Sequence, residues 1–459
     1  MRKVLFGLSH YFMEKGKIYM EKYISLKAKN YIKLQPDGKF FSLIIKNIRT
    51  EVGINDSAFE IIKQLSGEHR KSDIINNLAS HFNESKDKVQ KIVNDFLPSL
   101  GSGNLLSYSE TPIKNPIEIK GSEEYFVPEL VVLELTHKCP LKCKHCFVDA
   151  GSGPSMNKAK LMEILQQFIN LGVQCIQLTG GEPFVYQYIE DVIDFLLLNG
   201  IRIQITTSGF IWNKRVKRIL EKLKGTGALI QISLDGFSES HNSIRGDSEA
   251  YTKAIKFINH CITRDITTVV ATCVIDQELE EIEQLCIYLK KLGVSLHRIG
   301  GVSNQGRATI NKISSKLAFD NINLFIDYLG SKYRGSDFQV GGFEDIDCHS
   351  EVNCGAGFRI LKVSPSFLLS PCPMMDLNIG NLNNEKMIEI FKRNSKIFAK
   401  LSRPFDNICV NCKSLENCKN CIAEAFNNRK TVEKCYWFEN EFKILEEDIY
   451  ASKKNSIYF

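Results

Sequence analysis

Alternation of strand-like and helix-like segments from Pro128 to about Gly330 is the feature that most constrains the fold of this 459-residue chain. Between the strand-like runs, apolar residues recur at helical spacing, as they do over 161–169. Strands are predicted at 130–135, 174–178, 201–206, 229–234, 267–274 and 295–300. Because this alternation produces right-handed βαβ units, the sequence predicts an α/β fold with a parallel sheet. A sheet of this kind that closes in part is a TIM-like partial (β/α)6 barrel, with its chemistry at the C-terminal ends of the strands.

Three cysteines follow directly after the first predicted strand, as Cys139-x3-Cys143-x2-Cys146. A loop that leaves a strand can fold three thiolates so spaced around one compact inorganic centre. Iron–sulfur clusters are normally held by four cysteine thiolates, so three would leave one iron of a four-iron cluster open for an exchangeable ligand. A zinc site or a disulfide pair is the alternative, although zinc sites mostly use paired Cys-x2-Cys units with four ligands.

This cysteine spacing, with His145 before the last cysteine and Phe147 after it, resembles the signature of the radical S-adenosylmethionine (SAM) enzymes. The resemblance implies a [4Fe-4S] cluster bound by Cys139, Cys143 and Cys146, with SAM chelated to the open iron through its amino and carboxylate groups. It also implies cleavage of the sulfonium by one electron, which gives a 5′-deoxyadenosyl radical that abstracts hydrogen from the substrate. In such enzymes the cofactor carries the chemistry, and the protein binds, orients and shields it.

The second predicted strand leads into a motif that resembles the family's Gly-Gly-Glu-Pro sequence. Two glycines there let the backbone approach a ligand closely, and a glutamate can accept a hydrogen bond from a cationic amine. The resemblance implies that this motif binds the SAM amino group through Gly180, Gly181 and Glu182.

Two further motifs are similar to the family's Ser-Leu-Asp-Gly and Arg-Gly pair. They begin at Ser233 and Arg245, and the resemblance implies that these two residues contact the SAM ribose and carboxylate. For Ser233, capping of a turn is an equal alternative, because hydroxyls at strand ends often satisfy local backbone groups. Arg245 could instead anchor a loop through Asp235 or Asp247. The sequence assigns no general acid or base.

The C-terminal segment is rich in cysteine, and its eight cysteines would fit two four-thiolate sites. A pair of structural zinc ribbons would use the same number. The segment Cys354-Gly-Ala-Gly357 and the later cysteines resemble the SPASM extension of radical SAM enzymes, which implies two auxiliary [4Fe-4S] clusters. By this resemblance the first cluster is bound by Cys348, Cys354, Cys372 and Cys421, and the second by Cys409, Cys412, Cys418 and Cys435.

Not every cysteine is expected to bind a cluster. Peptide-modifying relatives often have no cysteine before the Cys-Gly-Ala-Gly position, so the role of Cys348 stays open. Without it, the first auxiliary cluster would have an open iron that could take a substrate thiolate. Four other cysteines lie within predicted strands and helices and are expected to be buried apolar residues: Cys175, Cys261, Cys273 and Cys286.

Residues 1–107 are predicted to form a separate, winged-helix-like domain. A turn at Pro36-Asp37-Gly38 precedes a strand over 39–45, and three amphipathic helical patterns follow. This order is similar to the PqqD-like recognition domain of enzymes that modify ribosomally made peptides. The resemblance implies that the leader of a precursor peptide adds as a strand to the sheet edge. A DNA-binding winged helix, which normally has a basic recognition helix, or a simple packing domain is the alternative.

The predicted domain order is then complete. A linker at 108–127 precedes a radical SAM partial barrel at 128–340, and the SPASM domain spans 341–459. Fifteen cysteines in a long chain without a signal-peptide core indicate metal binding in a reducing, cytoplasmic environment. The net charge of +6 comes from scattered lysines and gives little support to a nucleic-acid surface.

The predicted function is that of a radical SAM oxidoreductase that matures a ribosomally synthesised precursor peptide. Sactipeptide and ranthipeptide maturases, known from bacteriocin biosynthesis, share this architecture and form thioether bonds between a cysteine sulfur and a carbon. The expected partners are the precursor peptide and an electron donor such as flavodoxin or ferredoxin. The alternatives are carbon–carbon crosslinking, epimerisation, a formylglycine-forming activator of sulfatases, and a non-catalytic zinc-stapled peptide-binding protein.

Overall fold

The structure is a computed structural model that describes residues 22–45, 48–342, 353–404, 408–409, 412, 415–418, 421–430 and 432–443. The chain divides into two compact units, Met1–Val127 with Asn170–Gly172, and Pro128–Ile169 with Val173–Phe459. Cys348 lies outside the described residues. Among the helices of the described ranges, none is both long and apolar enough to cross a bilayer.

The N-terminal unit consists of two small sheets and three helices. Its strands are β1 (Tyr23–Leu26), β2 (Tyr31–Gln35), β3 (Gly38–Ile45), β4 (Ile48–Ile54), β5 (Ser66–Arg70), β6 (Leu106–Ser109) and β7 (Ile119–Gly121). Its helices are α1 (Asp56–Lys63), α2 (Lys71–Phe82) and α3 (Lys86–Ser102). The sheet orders are β5-β1-β6 and β4-β3-β2-β7.

Local sequence explains where these elements begin. Gly38 takes a φ of 154° at the predicted turn, where β2 and β3 join as a hairpin. The side chain of Asn55 caps α1 by accepting a hydrogen bond from the Ala58 backbone N–H at 2.9 Å, and Ser85 caps α3 in the same way. The apolar faces of the helices and strands then form one core, with Ile62 and Val93 fully buried.

Residues 108–127 differ from the predicted linker because part of the segment is ordered as a strand. β7 pairs in parallel with β2, with Ile119 opposite Ile32. The side chain of Gln35 is buried and bonds the backbone of Val127 twice, donating to its oxygen at 2.8 Å and accepting from its nitrogen at 2.9 Å. These long-range hydrogen bonds belong to the N-terminal unit.

The second unit contains the larger sheet. Its strands are β8 (Leu130–Lys138), β9 (Ser152–Ser155), β10 (Cys175–Gly180), β11 (Arg202–Thr207), β12 (Leu229–Ser233), β13 (Thr267–Val274), β14 (Leu296–Gly301), β15 (Gln339–Gly342), β16 (Ile360–Val363), β17 (Leu368–Ser370) and β18 (Gly380–Asn381). The helices that follow the barrel strands are α4 (Lys158–Leu171), α5 (Ile189–Leu198), α6 (Lys214–Leu223), α7 (Ser238–Arg245), α8 (Ala250–Ile262), α9 (Leu279–Leu292), α10 (Gly306–Ile310) and α11 (Phe319–Lys332). The C-terminal helices are α12 (Met387–Ala399), α13 (Leu415–Cys418) and α14 (Ile422–Asn428), and a π-helical turn spans Phe438–Phe442.

The strand order confirms the predicted α/β sheet. The order is β15-β14-β13-β12-β11-β10-β8-β16-β17-β18, with β9 paired to β8. All neighbours from β15 to β16 are parallel, and the six predicted strands are the six consecutive strands β8 and β10 to β14. Parallel pairing of successive strands places their C-terminal ends at one edge.

The two faces of this sheet differ in polarity. Alternate residues such as Ile176, Ile205 and Ile230 are fully buried or nearly so, as expected of the face covered by helices. The opposite face carries several polar, partly buried residues that form hydrogen bonds across strands. Gln177 donates to Thr206 Oγ1 at 2.7 Å, and Arg298 donates to Gln231 Oε1 at 3.0 Å. The polar face is therefore suited to a ligand rather than to a core.

The cysteine-rich C-terminal segment continues the same sheet. β16 pairs in parallel with β8, with Ile360 opposite Leu130, and β17 and β18 extend it with antiparallel pairs. The Arg359 side chain makes an ion pair with Glu129 beside this junction. Two regions more than 200 residues apart in sequence thus share neighbouring strands.

Candidate active site

The three cysteines of the first motif lie in the loop of residues 139–151, here called the cluster loop, which follows β8 directly. The Cys139 backbone N–H bonds the Gly151 oxygen at 3.0 Å, so the loop returns to its starting point before β9 begins. All three thiols are free, and that of Cys143 is buried. The C-terminal end of a barrel strand is where this fold carries its chemistry.

The surroundings of Cys139 and Cys143 raise the pKa of both thiols. Burial, together with smaller contributions from the nearby Cys143 and Cys146, raises the pKa of the Cys139 thiol to about 12. Burial also raises the pKa of Cys143, against the opposing effect of Arg245. Thiolates in such a place need cations close by, which the irons of a cluster would supply.

The described side chains do not gather as closely as a mononuclear site requires. Within those residues, no three side chains of His, Cys, Asp or Glu converge on a single point suited to one metal ion. A four-iron cluster has different needs, because each thiolate binds its own iron. The buried Nδ1 of His145, inside the same loop, has no hydrogen-bond partner in the described part of the chain, and burial lowers the pKa of this ring to about 4.

The glycine motif lies against the start of the cluster loop. Gly181 donates to the Thr136 oxygen at 2.6 Å, and Glu182 donates its backbone N–H to the Lys138 oxygen at 3.0 Å. A Cβ on Gly181 would come within 2.5 Å of that Lys138 oxygen, and one on Gly180 within 2.2 Å of the Thr136 oxygen. Only glycine allows the end of β10 to come this close to the base of the loop.

Glu182 is fully buried, and its carboxylate joins the ends of β10 and β11. Oε1 accepts from Thr207 Oγ1 at 2.7 Å and from the Phe184 N–H at 3.2 Å. Oε2 accepts from the backbone N–H and the hydroxyl of Ser208 at 3.0 and 2.5 Å. Burial raises its pKa, and these donors act in the opposite direction. The carboxylate already receives four hydrogen bonds from the protein, so the predicted contact with the SAM amino group stays a prediction.

Arg245 pairs with Asp235 and so anchors a loop, which is one of the two roles predicted for it. Its guanidinium forms a bidentate pair with the buried carboxylate of Asp235, at 2.6 and 3.0 Å. Its Nη1 also donates to the Cys143 sulfur at 3.7 Å, so it orients a cysteine of the cluster loop. Contact of Arg245 with SAM stays a prediction.

Ser233 ends β12 on the partly exposed face of the sheet. Among the residues that the structure describes, no hydrogen bond engages its hydroxyl, so the alternative of turn capping has no partner there. The hydroxyl is accordingly available to a ligand, and its contact with SAM stays a prediction.

Arg307 is a site residue that the sequence analysis missed. It begins α10 with Gly306, and its side chain and backbone donate to three carbonyl oxygens of the cluster loop. A signal was present in the sequence, because Arg307 follows the C-terminal end of β14 as closely as other site residues follow their strands.

The C-terminal cysteines fall into two groups. Burial raises the pKa of Cys372 to about 12 and that of Cys421 well above its usual value. The nearby Cys354 contributes to the rise in the pKa of both thiols. The other four line one small cavity together with Trp437, and they are Cys409, Cys412, Cys418 and Cys435. The groups match the predicted ligand sets, except that Cys348 lies outside the described residues. Their binding of clusters stays a prediction.

The remaining cysteines sit in regular elements. Cys175, Cys261 and Cys286 are buried, and Cys286 bonds the buried ring of His297 at 3.1 Å. Cys273 is partly exposed at the end of β13, and its backbone N–H bonds Asp235 at 3.1 Å. All four lie in strands and helices as expected, but the expected burial is wrong for Cys273, which is only partly buried.

Comparison with known proteins agrees with this geometry. Residues 133–313 match the family model of the Radical SAM superfamily. The chain is similar to the antilisterial bacteriocin subtilosin biosynthesis protein AlbA of Bacillus subtilis, with 24% identity over 407 residues that cover 84% of this chain and 88% of AlbA. It is also similar to the sporulation killing factor maturation protein SkfB of the same organism, with 20% identity over 62% of this chain and 70% of SkfB.

Among solved structures, the fold resembles that of SuiB from Streptococcus suis. The TM-score is 0.62 with 15% identity, and the match covers 90% of this chain and 98% of SuiB. SuiB has been crystallised with S-adenosylmethionine and with its precursor peptide SuiA. At this identity, the likeness shows a shared fold.

Proposed function

This chain contains a radical SAM domain, and on that premise we propose that it is a maturase that forms thioether crosslinks in a ribosomally synthesised precursor peptide. The crosslinks join a cysteine sulfur to a carbon of another residue. The observation that carries the proposal is the three-cysteine loop at the C-terminal end of β8, above the polar, partly exposed face of a parallel sheet.

The roles that we propose for the site residues are supported by their positions at the ends of the strands. Cys139, Cys143 and Cys146 would hold a [4Fe-4S] cluster through three thiolates. With SAM bound, such a cluster supplies a 5′-deoxyadenosyl radical that abstracts a hydrogen atom from the substrate. Gly180 and Gly181 bring backbone close to the base of the cluster loop, where they can meet the SAM amino group.

Other residues hold this arrangement in place. Glu182 ties the glycine turn to Thr207 and Ser208, so the ends of two neighbouring strands stay together. Arg245 fixes the Cys143 sulfur from one side, and the free hydroxyl of Ser233 would contact the ribose. A radical reaction needs positioning and exclusion of water more than a titrating group, and buried polar anchors of this kind provide positioning.

The peptide substrate is supported by the relatives and by the N-terminal unit. The names of AlbA and SkfB describe biosynthesis or maturation of a bacteriocin and of a killing factor, and SuiB binds a precursor peptide. In the N-terminal unit, β4 lies at the edge of its sheet and is the longest edge strand among those described. A leader that pairs with β4 would gain the most backbone hydrogen bonds.

The C-terminal cysteines complete the proposal. Cys354, Cys372 and Cys421 would bind one auxiliary [4Fe-4S] cluster, for which the sequence predicts Cys348 as the fourth ligand. The four cysteines that line the cavity beside Trp437 would bind the second. Clusters held by these cysteines would supply electron transfer, and the proposed electron donor is a flavodoxin or ferredoxin. The cytoplasm, where precursor peptides are made, is the proposed location.

The decisive experiment is an anaerobic reaction of the reconstituted protein with SAM, a reductant and a cysteine-containing precursor peptide, which is to be sought among small open reading frames beside the gene. Each thioether should lower the product mass by two hydrogens and make one cysteine unreactive to alkylation. The Cys143→Ala variant should give no product, whereas Cys175→Ala, which removes a buried cysteine outside the site, should retain most activity.

Other products would contradict the thioether. Loss of two hydrogens with every thiol still reactive would indicate a carbon–carbon crosslink. Loss of sulfur would indicate formylglycine, and unchanged mass with deuterium uptake from heavy water would indicate epimerisation. Bound zinc without sulfide, together with intact SAM, would show that the chain is not a radical enzyme.

A further inference from the structure

A short segment between β14 and α10 contacts both cysteine regions of the second unit. This segment, residues 303–307 with sequence Ser-Asn-Gln-Gly-Arg, is here called the bridge segment. It begins two residues after β14 ends, at the same edge of the sheet as the cluster loop. It belongs to none of the motifs discussed above.

Towards the cluster loop, the contacts come from Gly306 and Arg307. The Arg307 backbone N–H donates to the Cys146 oxygen at 2.8 Å, and its Nε donates to the Cys143 oxygen at 2.9 Å. Its Nη1 donates to the Ala150 oxygen at 2.7 Å. Carbonyls of two of the three cysteines are thus held by a single residue.

Gly306 explains how the two segments come so close. Its φ is +54°, and a Cβ there would meet the backbone oxygens of Cys146 and Phe147 at 2.3 Å each. Any larger residue would push the bridge segment away from the cluster loop. The contact with Arg307 therefore depends on a glycine before it.

Towards the auxiliary cysteines, the contacts come from Ser303 and Gln305. Ser303 Oγ donates to Glu424 Oε1 at 2.8 Å, and the Glu424 backbone N–H lies 3.4 Å from the Cys421 sulfur as a donor. Gln305 Nε2 donates to the Met374 oxygen, two residues after Cys372. Asn427 donates to the same Met374 oxygen at 2.7 Å, so the segment joins an existing network.

We propose that the bridge segment fixes the cluster loop relative to the auxiliary cysteines, and that Arg307 is the positioning residue that does so and that raises the reduction potential of the loop's cluster. The inference rests on the proposed function, because it assumes that the loop holds a cluster. It assigns a role to residues that contact the ligands and not the substrate.

The physical argument begins with the guanidinium group. Its planar fork of donors can hold two carbonyls in fixed directions, which a lysine ammonium on a flexible stem cannot do. It also brings a permanent positive charge to the loop. Only one carboxylate of the described residues pairs with it, that of Asp149 at 3.2 Å, and the Asp149 side chain is 53% exposed.

Charge and hydrogen bonds around an iron–sulfur cluster set its reduction potential. A fixed cation favours the reduced, more negative cluster, so loss of the Arg307 charge should make reduction harder. A residue that only packed the loop would change stability or cluster content and would leave the potential of the intact cluster unchanged. The reduction potential of the cluster therefore distinguishes a residue that positions the loop and contributes charge from a residue that only packs against the loop.

The test compares Arg307→Met, which removes the charge, with Arg307→Lys, which keeps it. The SAM-binding cluster of each anaerobic holoenzyme is titrated with reductant and followed by electron paramagnetic resonance, with and without SAM. We expect the potential to become more negative in Arg307→Met and to change much less in Arg307→Lys. Reductive SAM cleavage, measured without any peptide, should slow at least tenfold in Arg307→Met.

Arg218→Met is the matched control. Arg218 is a surface arginine that also holds a bidentate partner, Glu190, at 2.8 and 2.6 Å, but it lies on α6 away from the site. Its loss should leave the cluster potential and SAM cleavage at wild-type values. If Arg307→Met also keeps the wild-type potential and SAM response, the proposal is overturned.

Gln305→Ala tests the other side of the bridge without touching the Arg307 contacts. We expect normal SAM cleavage but a rise of several fold in 5′-deoxyadenosine released for each crosslink, because the two cysteine regions are no longer held together. An unchanged ratio of 5′-deoxyadenosine to crosslink would overturn the proposal that the bridge segment holds the two cysteine regions together.

If Arg307→Met does not fold, Arg307→Lys and Gln305→Ala test the proposal in its place. If wild-type protein cleaves SAM but modifies no peptide, the proposed function fails and the potentials still test Arg307.

Discussion

At the scale of single residues, the site is held by side chains that form hydrogen bonds to several groups of the strand ends and of the cluster loop. Glu182, Arg245 and Arg307 each satisfy several groups at once. The first two could be predicted because they stand in motifs with recognisable neighbours. For Arg307 the sequence offered only its position shortly after β14, and no local pattern says that an arginine there will reach carbonyls of a loop more than 150 residues earlier.

Gly181 gives a sharp test at this scale. Gly181→Ala adds a Cβ that would lie 2.5 Å from the Lys138 oxygen and 3.0 Å from Ala150 Cβ, so the end of β10 must move away from the cluster loop. Overpacking of this kind costs about 1–3 kcal/mol. We expect a lower melting temperature and SAM binding weakened at least tenfold, measured by equilibrium dialysis of the anaerobic protein.

The same loop supplies the control for this prediction. Gly151→Ala adds a Cβ that, apart from the two neighbours of Gly151 in the sequence, lies more than 4 Å from every atom of the described residues, and its effect on melting and SAM binding should be small. Equal effects of the two substitutions would show that the close approach of β10 to the cluster loop does not matter for SAM binding.

At the scale of elements, the barrel strands were predicted well and the contacts between distant segments were not. Runs such as 267–274 are apolar and bounded by helical patterns, so local sequence is enough to place them, and this one matches β13 at both ends. β7 and β16 are short, and each is ordered by a partner strand far away in the sequence, β2 and β8. Pairing of this kind leaves no periodic signal in the segment itself.

The edge strand β4 leads to a prediction about the leader peptide. A peptide that adds as a strand uses the backbone N–H groups of alternate residues only. Leaders methylated on the nitrogen of every second residue should therefore fall into two classes. One set should bind at least tenfold more weakly than the unmodified leader, and the other set, shifted by one residue, should bind almost normally.

Fluorescence anisotropy with labelled leaders and the full-length protein measures this difference. A change of Ile48, which is 45% exposed at the start of β4, to Lys should weaken the same binding, whereas Leu198→Lys on α5 of the other unit should not. Equal loss of binding with both methylated sets would contradict strand addition and favour recognition through side chains.

At the scale of the whole molecule, the second unit places two cysteine regions on one continuous sheet. β8 carries the cluster loop at its C-terminal end, and β16, its parallel neighbour, leads through β17 towards Cys372. The same strand pair therefore sets the relation of the first cysteine motif to the C-terminal one.

A pair of cysteine variants tests whether the C-terminal cysteine groups and the cluster loop have separate roles, as proposed. Cys372→Ala removes a thiol of the first auxiliary group, and Cys412→Ala removes one from the cavity beside Trp437. Each variant should lose the iron and sulfide of about one cluster and keep the rest, because the two groups share no thiol. Both should still cleave SAM, since the cluster loop is unchanged, but crosslink formation should fall at least a hundredfold.

Iron analysis, Mössbauer spectra and product mass measure cluster content and crosslink formation on the same sample. If either variant loses the iron of both auxiliary groups, the grouping of ligands is wrong, and if crosslinking persists, the auxiliary clusters do not take the electron from the substrate.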